Sequence, residues 1–229
     1  MANLYIVATP IGNLKDITLR ALEVLKEADL ILGEDTRVTK KLLMHYDIRT
    51  SVLSYHQHSK LNKINYILDL LKQEKNLALV SDSGTPGISD PGNKLISRIV
   101  DDPQLNNVKI IPIPGPTALI AAVSISGLPV DKFLFLGFPP AKRKRKKFFA
   151  KIMNSDCPVI FYESPYRILK TLQELNGFSQ NLEVVICREL TKKFETIYRG
   201  RIEKVIKEIN PKGEFVVIVA KRYNINRCV

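Results

Sequence analysis

Nothing in this chain approaches the roughly 18–20 uninterrupted apolar residues of a membrane span, although 45% of its 229 residues are hydrophobic. A sizeable buried core is therefore expected and a spanning helix is not. The start, Met1-Ala2-Asn3-Leu4-Tyr5, has no basic region ahead of its apolar run and lacks the shape of a signal peptide. Cysteine is scarce. Cys157, Cys187 and Cys228 stand far apart, in neither a disulfide framework nor the spacing of a metal site. A reduced, cytoplasmic protein is expected. The pattern G-x-G-x-x-G occurs nowhere, which disfavours a conventional dinucleotide site. Sequence repeats are absent, and so is low complexity except in one basic run.

What is present is unevenly placed. The formal net charge is +12. Residues 1–115 hold 14 Lys and Arg against 13 Asp and Glu, whereas residues 116–229 hold 21 against 10. The densest part is Lys142-Arg143-Lys144-Arg145-Lys146-Lys147, directly after Phe138-Pro139-Pro140. Such a run repels itself and gains free energy when phosphates neutralise it. Two readings stay open: a contact for RNA, or a solvated loop.

Short β-branched runs alternate with helical patterns. Strands are expected at Leu4–Ala8, Leu30–Leu32, Leu77–Val80 and Val108–Ile113, then at Phe133–Phe138, Val159–Tyr162, Val184–Cys187 and Phe215–Ala220. Between them, Thr18 is placed to cap a helix whose Leu19, Leu22, Leu25 and Ala28 share a face. Leu61, Ile64, Leu68 and Leu71 mark a second helix, and Ala118–Ser126, Arg167–Leu175 and Ile202–Ile209 mark others. The rhythm is that of an α/β protein. The proline-rich turn near residues 112–116 coincides with the shift in charge, so two α/β domains are expected, 1–115 and 116–229.

Three strand-end loops have unusual chemistry, and in open α/β sheets ligands bind at the carboxyl ends of strands. The first is Thr9-Pro10-Ile11-Gly12-Asn13-Leu14. The second runs from Ser81 to Gly92 and packs three glycines, two prolines and two aspartates into twelve residues. Gly87 and Gly92 have the spacing of a phosphate-binding P-loop, but Asn93 and Lys94 stand where Lys and Ser or Thr are needed. Its remaining readings are a ligand loop, or two linked turns in which Asp82 and Asp90 cap backbone amides. The third is Ile113-Pro114-Gly115-Pro116-Thr117-Ala118, with proline placed to start a helix.

In this order, the three loops resemble those of the tetrapyrrole (corrin/porphyrin) methylase superfamily. The resemblance is strengthened by Gly33-Glu34-Asp35-Thr36-Arg37, by Phe161-Tyr162-Glu163-Ser164-Pro165-Tyr166-Arg167-Ile168 and by Arg188-Glu189-Leu190-Thr191-Lys192. It extends from Leu4 to about Ala220 and is nearest to the branch that 2′-O-methylates a cytidine of 16S ribosomal RNA. It implies a homodimer of two α/β domains with S-adenosylmethionine in the interdomain cleft. On that analogy Pro10, Asp82, Thr85 and Pro86 line one side of the cofactor, Thr117 and Ala118 come from the interdomain turn, and Phe161, Tyr162 and Leu190 line the other side. The implied partner is 16S rRNA in the small ribosomal subunit. In the branch's His-x-His element, Tyr55-His56-Gln57-His58-Ser59-Lys60, Ser59 and Lys60 depart from the usual Asn and acidic residue.

Transfer of a methyl group to a ribose hydroxyl needs in-line alignment and a base. The candidates are Glu34, Asp35, His56, His58 and Glu163, with Arg37 poised to pair with an acid or hold a phosphate. Each has a bland alternative. Glu34, Asp35 and Arg37 suit a capping cluster, the histidines a surface pair, and Glu163 a carboxylate at a helix N-terminus. No metal is expected. The rival functions are methylation of a tetrapyrrole precursor and non-catalytic RNA binding.

Overall fold

The computed structural model describes residues 1–56, 59–90, 92–179 and 182–220. His58, Pro91 and Cys228 of the sequence reading lie outside them. The chain divides into two compact units, Met1–Thr117 and Ala118–Val229.

The first unit alternates strictly: β1 (Asn3–Val7), α1 (Leu19–Glu27), β2 (Leu30–Gly33), α2 (Thr36–His45), β3 (Val52–Ser54), α3 (Leu61–Lys72), β4 (Leu77–Val80), α4 (Asn93–Asp101) and β5 (Lys109–Ile113). The strands form one parallel sheet in the order β3-β2-β4-β1-β5. Alternation along each strand sends side chains to opposite faces. Val7, Ile31, Ala78, Val80 and Ile113 pack with Ala21, Val24 and Leu25 of α1 and Leu42 and Leu43 of α2. Leu4, Leu32, Leu77 and Leu79 pack with Ile64, Ile67 and Leu71 of α3 and Leu95 and Ile99 of α4. Thr18 caps α1 by accepting from the Ala21 amide at 3.2 Å. From β1 the chain runs toward the β3 edge, and from β4 toward the β5 edge. The two strands are neighbours, so the sheet reverses direction between their carboxyl ends, where open α/β sheets bind ligands.

The second unit comprises α5 (Ala118–Ser124), β6 (Leu134–Phe135), α6 (Arg145–Met153), β7 (Val159–Glu163), α7 (Ile168–Phe178), β8 (Glu183–Arg188), β9 (Thr196–Arg201), α8 (Ile202–Glu208) and β10 (Phe215–Ala220). Its sheet order is β6-β7-β10-β8-β9. Only the β6–β7 pair is parallel, and the other pairs are antiparallel. One face packs Val159, Phe161, Val184, Ile186, Phe215 and Val217 against α6, α7 and α8. The other face, including Ile160, Val185, Cys187, Val216 and Ile218, is also buried.

The expected strand Phe133–Phe138 shortens to Leu134–Phe135, because Gly137 adopts φ +64° and two prolines follow. Sequence patterning missed β3, which is three residues long, and β9, an edge strand carrying Arg199, Gly200 and Arg201. Both are too short or too polar to show a period of two.

Candidate active site

The three unusual loops meet at the carboxyl ends of β1, β4 and β5 in the first unit. Thr9 and Gly84 exchange backbone hydrogen bonds at 2.9 and 3.0 Å, which joins the first loop to the second. The buried Thr9 hydroxyl donates to the Ser81 carbonyl at 3.1 Å. Thr85 Oγ1 donates to the Pro116 carbonyl at 3.1 Å and joins the second loop to the third. Glycine is required at two of these contacts. Gly84 has φ +81°, and a Cβ there would lie 3.3 Å from Ile11 Cγ2. At Gly115 a Cβ would lie 2.9 Å from that of Ala8.

Carboxylates gather beside these loops. Asp82 Oδ1 accepts from the Asp35 backbone amide at 2.9 Å and ties the end of β4 to that of β2. Asp82 therefore does cap an amide, across loops and not within its own turn. Asp90 makes no hydrogen bond to a described residue. Burial, then the charges of Glu34 and Asp82, push its carboxyl up to about 6. Burial and then Asp82 also raise Glu34, with His56 opposing them. Glu34, Asp82 and Asp90 thus form one electrostatically coupled group, and its half-buried members hold protons more tightly than free carboxylates do. Sequence reading placed Asp90 only as a possible cap. Its burial and its two acidic neighbours arise from tertiary packing.

Other candidates separate from this group. Asp35 accepts from Arg37 through the backbone amide at 2.8 Å, Nε at 3.0 Å and Nη2 at 2.6 Å. This pairing pulls Asp35 down to about 2, so it is a capping carboxylate and a poor base near neutral pH. Arg37 is the exposed partner. The Ser59 side chain, in place of Asn, accepts from the His56 amide at 2.9 Å, and its own amide donates to the His56 carbonyl at 2.8 Å. Ser59 therefore holds His56 through both its side chain and its backbone.

In the second unit, two expectations are corrected. Glu163 was read as a candidate facing a cleft. It is 1% exposed, accepts from the Ser164 amide at 2.7 Å and Thr171 Oγ1 at 2.6 Å, and is ion-paired with Arg167 Nε at 3.1 Å. It is an internal structural carboxylate with no oxygen to spare. The basic run offers six cations as candidates for RNA contact, not all of them able to face RNA at once. Lys142, Arg143, Lys144, Lys146 and Lys147 are exposed, but Arg145 is only 7% exposed. Its guanidinium donates to Glu174 at 2.8 Å, the Pro140 carbonyl at 2.9 Å and Thr171 Oγ1 at 2.8 Å.

The Phe161 side chain belongs to the core and meets the Phe148 ring at 5.7 Å. Tyr162 lies edge-on to Phe135 and tilted to Phe138. Leu190 sits between two residues in the left-handed region, Glu189 at φ +52° and Thr191 at φ +65°. Thr191 Oγ1 is buried without a partner among the described residues. Strain and an unpaired polar atom together mark a segment shaped for something other than stability.

Residues 3–206 match the family Tetrapyrrole (Corrin/Porphyrin) Methylases. A protein of Halalkalibacterium halodurans described as ribosomal RNA small subunit methyltransferase I is 46% identical over 220 residues, covering 94% of this chain and 75% of the relative. Proteins with the same description from Vibrio cholerae and Thermotoga maritima are 48% and 41% identical. They share 94% and 96% of this chain and 76% and 99% of their own lengths. Among solved structures, the methyltransferase CobJ aligns with TM-score 0.67 at 19% identity, covering 96% of this chain and 93% of its own. Diphthine synthase aligns with TM-score 0.71 at 16% identity, covering 96% and 90%. At such identities the two structures speak for the fold alone, and the extended match at 41–48% identity carries the further conclusion. This chain belongs to the tetrapyrrole (corrin/porphyrin) methylase family.

Proposed function

We propose that this protein transfers a methyl group from S-adenosylmethionine to small-subunit ribosomal RNA, at the 2′-hydroxyl of a cytidine in 16S rRNA. The RNA reading rests on the description shared by relatives 41–48% identical over nearly the whole chain. The observation that carries the chemistry is the coupled carboxylate group at the ends of β2 and β4. An rRNA substrate puts the enzyme in the cytoplasm, and by family analogy it acts as a homodimer.

The residues present suit this cofactor. Asp82 raises the proton affinity of Glu34, and Glu34 and Asp82 together raise that of Asp90, so the site is short of positive charge, which a sulfonium and an α-ammonium supply. Thr191 Oγ1 is a buried polar atom in need of a partner. By family analogy Pro10, Asp82, Thr85, Pro86 and Thr117 would hold the donor from the first unit. By the same analogy Ala118, Phe161, Tyr162 and Leu190 would hold it from the second. When bound, S-adenosylmethionine supplies an electrophilic methyl group on a good leaving sulfur.

The chain's own contribution is alignment and proton management. Holding the hydroxyl in line contributes roughly 7–11 kcal/mol. Glu34 takes the hydroxyl proton, because its raised affinity brings it closer to the working pH than the strongly acidic Asp35. Asp90, at about 6, is the adjacent site able to hold that proton. Asp82 keeps both loops in register through the Asp35 amide.

The test is transfer of radiolabelled methyl to purified small subunits, followed by mapping of ribose methylation. Label on a cytidine 2′-oxygen of 16S rRNA is expected. Label on a base, or on a tetrapyrrole precursor in preference to the subunit, overturns the proposal.

A further inference from the structure

We infer that loop 138–144 and the first turn leading into α7 form a clamp for single-stranded RNA, in which Phe138 and Tyr166 stack on bases while Lys142, Arg143 and Lys144 lie over phosphates. The inference rests on the reading of ribosomal RNA as substrate. Tyr166 is 95% exposed and Phe138 50% exposed. The Phe138 ring is braced on one side by Tyr162 at 5.4 Å.

The aromatic and basic parts are fixed to each other. Arg167, next to Tyr166, donates from Nη1 to the Pro139 carbonyl at 3.1 Å. Arg145, next to Lys144, donates to the adjacent Pro140 carbonyl at 2.9 Å. Both guanidiniums trace back to Glu163: Arg167 pairs with it directly, and Arg145 reaches it through Thr171. A loop of like charges would otherwise extend and sample many conformations. Here a buried network holds it against the start of α7.

Stability does not account for this arrangement. Cations crowd the N-terminal end of α6, where the helix dipole is positive. That helix has no acidic residue in its first turn and no side-chain cap, and its N-cap Lys144 is left-handed at φ +68°. Lys142, Arg143 and Lys144 make no salt bridge among the described residues. A polyanion relieves the charge repulsion at this end of the helix.

The rings select the kind of polyanion. Stacking needs bases freed from a duplex, and aromatic platforms among cations are the usual means of holding single strands. A second copy of this chain is a poor occupant, since a self-complementary contact would set the cations against their own images.

The test uses the full-length protein and a labelled single-stranded oligoribonucleotide of about 12 nucleotides. Tyr166→Ala is expected to weaken binding roughly 5- to 150-fold with an unchanged salt slope, whereas Tyr166→Phe retains affinity. Replacing Lys142, Arg143 and Lys144 together by Ala is expected to flatten the log–log salt slope by about 2 units. Cofactor affinity should be the same in every variant. Tyr166→Ala binding within twofold of wild type, or a changed oligomeric state in its place, overturns the clamp. If wild type methylates small subunits and Tyr166→Ala has no effect, only the clamp fails. If wild type neither binds the oligonucleotide nor methylates subunits, the substrate reading fails and the clamp with it.

Discussion

Glu34 and Glu163 stand at the ends of buried strands in the two units, and their surroundings treat them in opposite ways. Glu163 is enclosed by an amide, a hydroxyl and a guanidinium. Glu34 is half-buried beside Asp82 and Asp90, and Asp82 raises it while His56 opposes the shift. The first carboxylate is satisfied and therefore structural. The second is left short of partners, which costs stability and keeps it reactive. The same contrast runs through the two units. The parallel sheet gathers acids at the carboxyl ends of its strands, whereas the mixed sheet of the second unit uses paired charges to hold a cationic surface in place.

Substituting each glutamate tests this contrast most strongly. Glu34→Gln should lower kcat by about 10²–10⁴-fold, with RNA affinity nearly unchanged and no loss of melting temperature, since the half-buried charge that it removes is a cost to stability. Near-normal turnover would shift the proton-accepting role to Asp90 or His56. Glu163→Ala should act in the other direction, costing about 3–5 kcal/mol in denaturant unfolding because it strands buried partners. A loss of activity without loss of stability in this variant would erase the distinction between the two residues.

Asp90 gives a smaller effect with a definite sign. Its folded carboxyl titrates at about 6, against an ordinary value of 3.8. The folded state therefore binds the proton more tightly between those values, and the penalty of an ionised Asp90 is absent below about 3.8 and full above about 6. Asp90→Asn should stabilise the protein by about 1–2 kcal/mol at pH 7, after allowing for solvent screening, and by nothing at pH 3.5. A cationic cofactor favours the ionised form, so wild-type affinity for S-adenosylmethionine should rise with pH through 6 and then level off, as read by calorimetry. A flat profile would separate Asp90 from the cofactor site. The smallest expected change is none: EDTA should leave cofactor affinity unaltered, and loss of binding restored by a divalent ion would place a metal in the site.

Much of this was readable in sequence because it is local. Thr18 caps α1 and Leu25, Ile64 and Leu71 are buried as their spacing requires, since helical periods act over a few residues, whereas Leu19 and Leu61 of the same two patterns begin their helices and stay exposed. The loops at Thr9, Ser81 and Pro114 stood out because glycine and proline constrain the backbone wherever they occur. Arg145 shows the limit. It sits among five exposed cations and no sequence rule separates it from them. Its burial depends on Thr171 and Glu174, one and two turns into another helix.

The sequence by itself determined the alternating elements, the strand-end loops, the concentration of positive charge in the second half and the family resemblance, all of which follow from residue type and near-neighbour spacing. Only the tertiary structure decided that Asp82 reaches the Asp35 amide across 47 residues, that the second sheet is mostly antiparallel, and that Glu163 is spent on Thr171 and Arg167 while Glu34 is not. Burial and charge coupling depend on distances in space, and chain separation carries almost no information about those distances once the strands cross over.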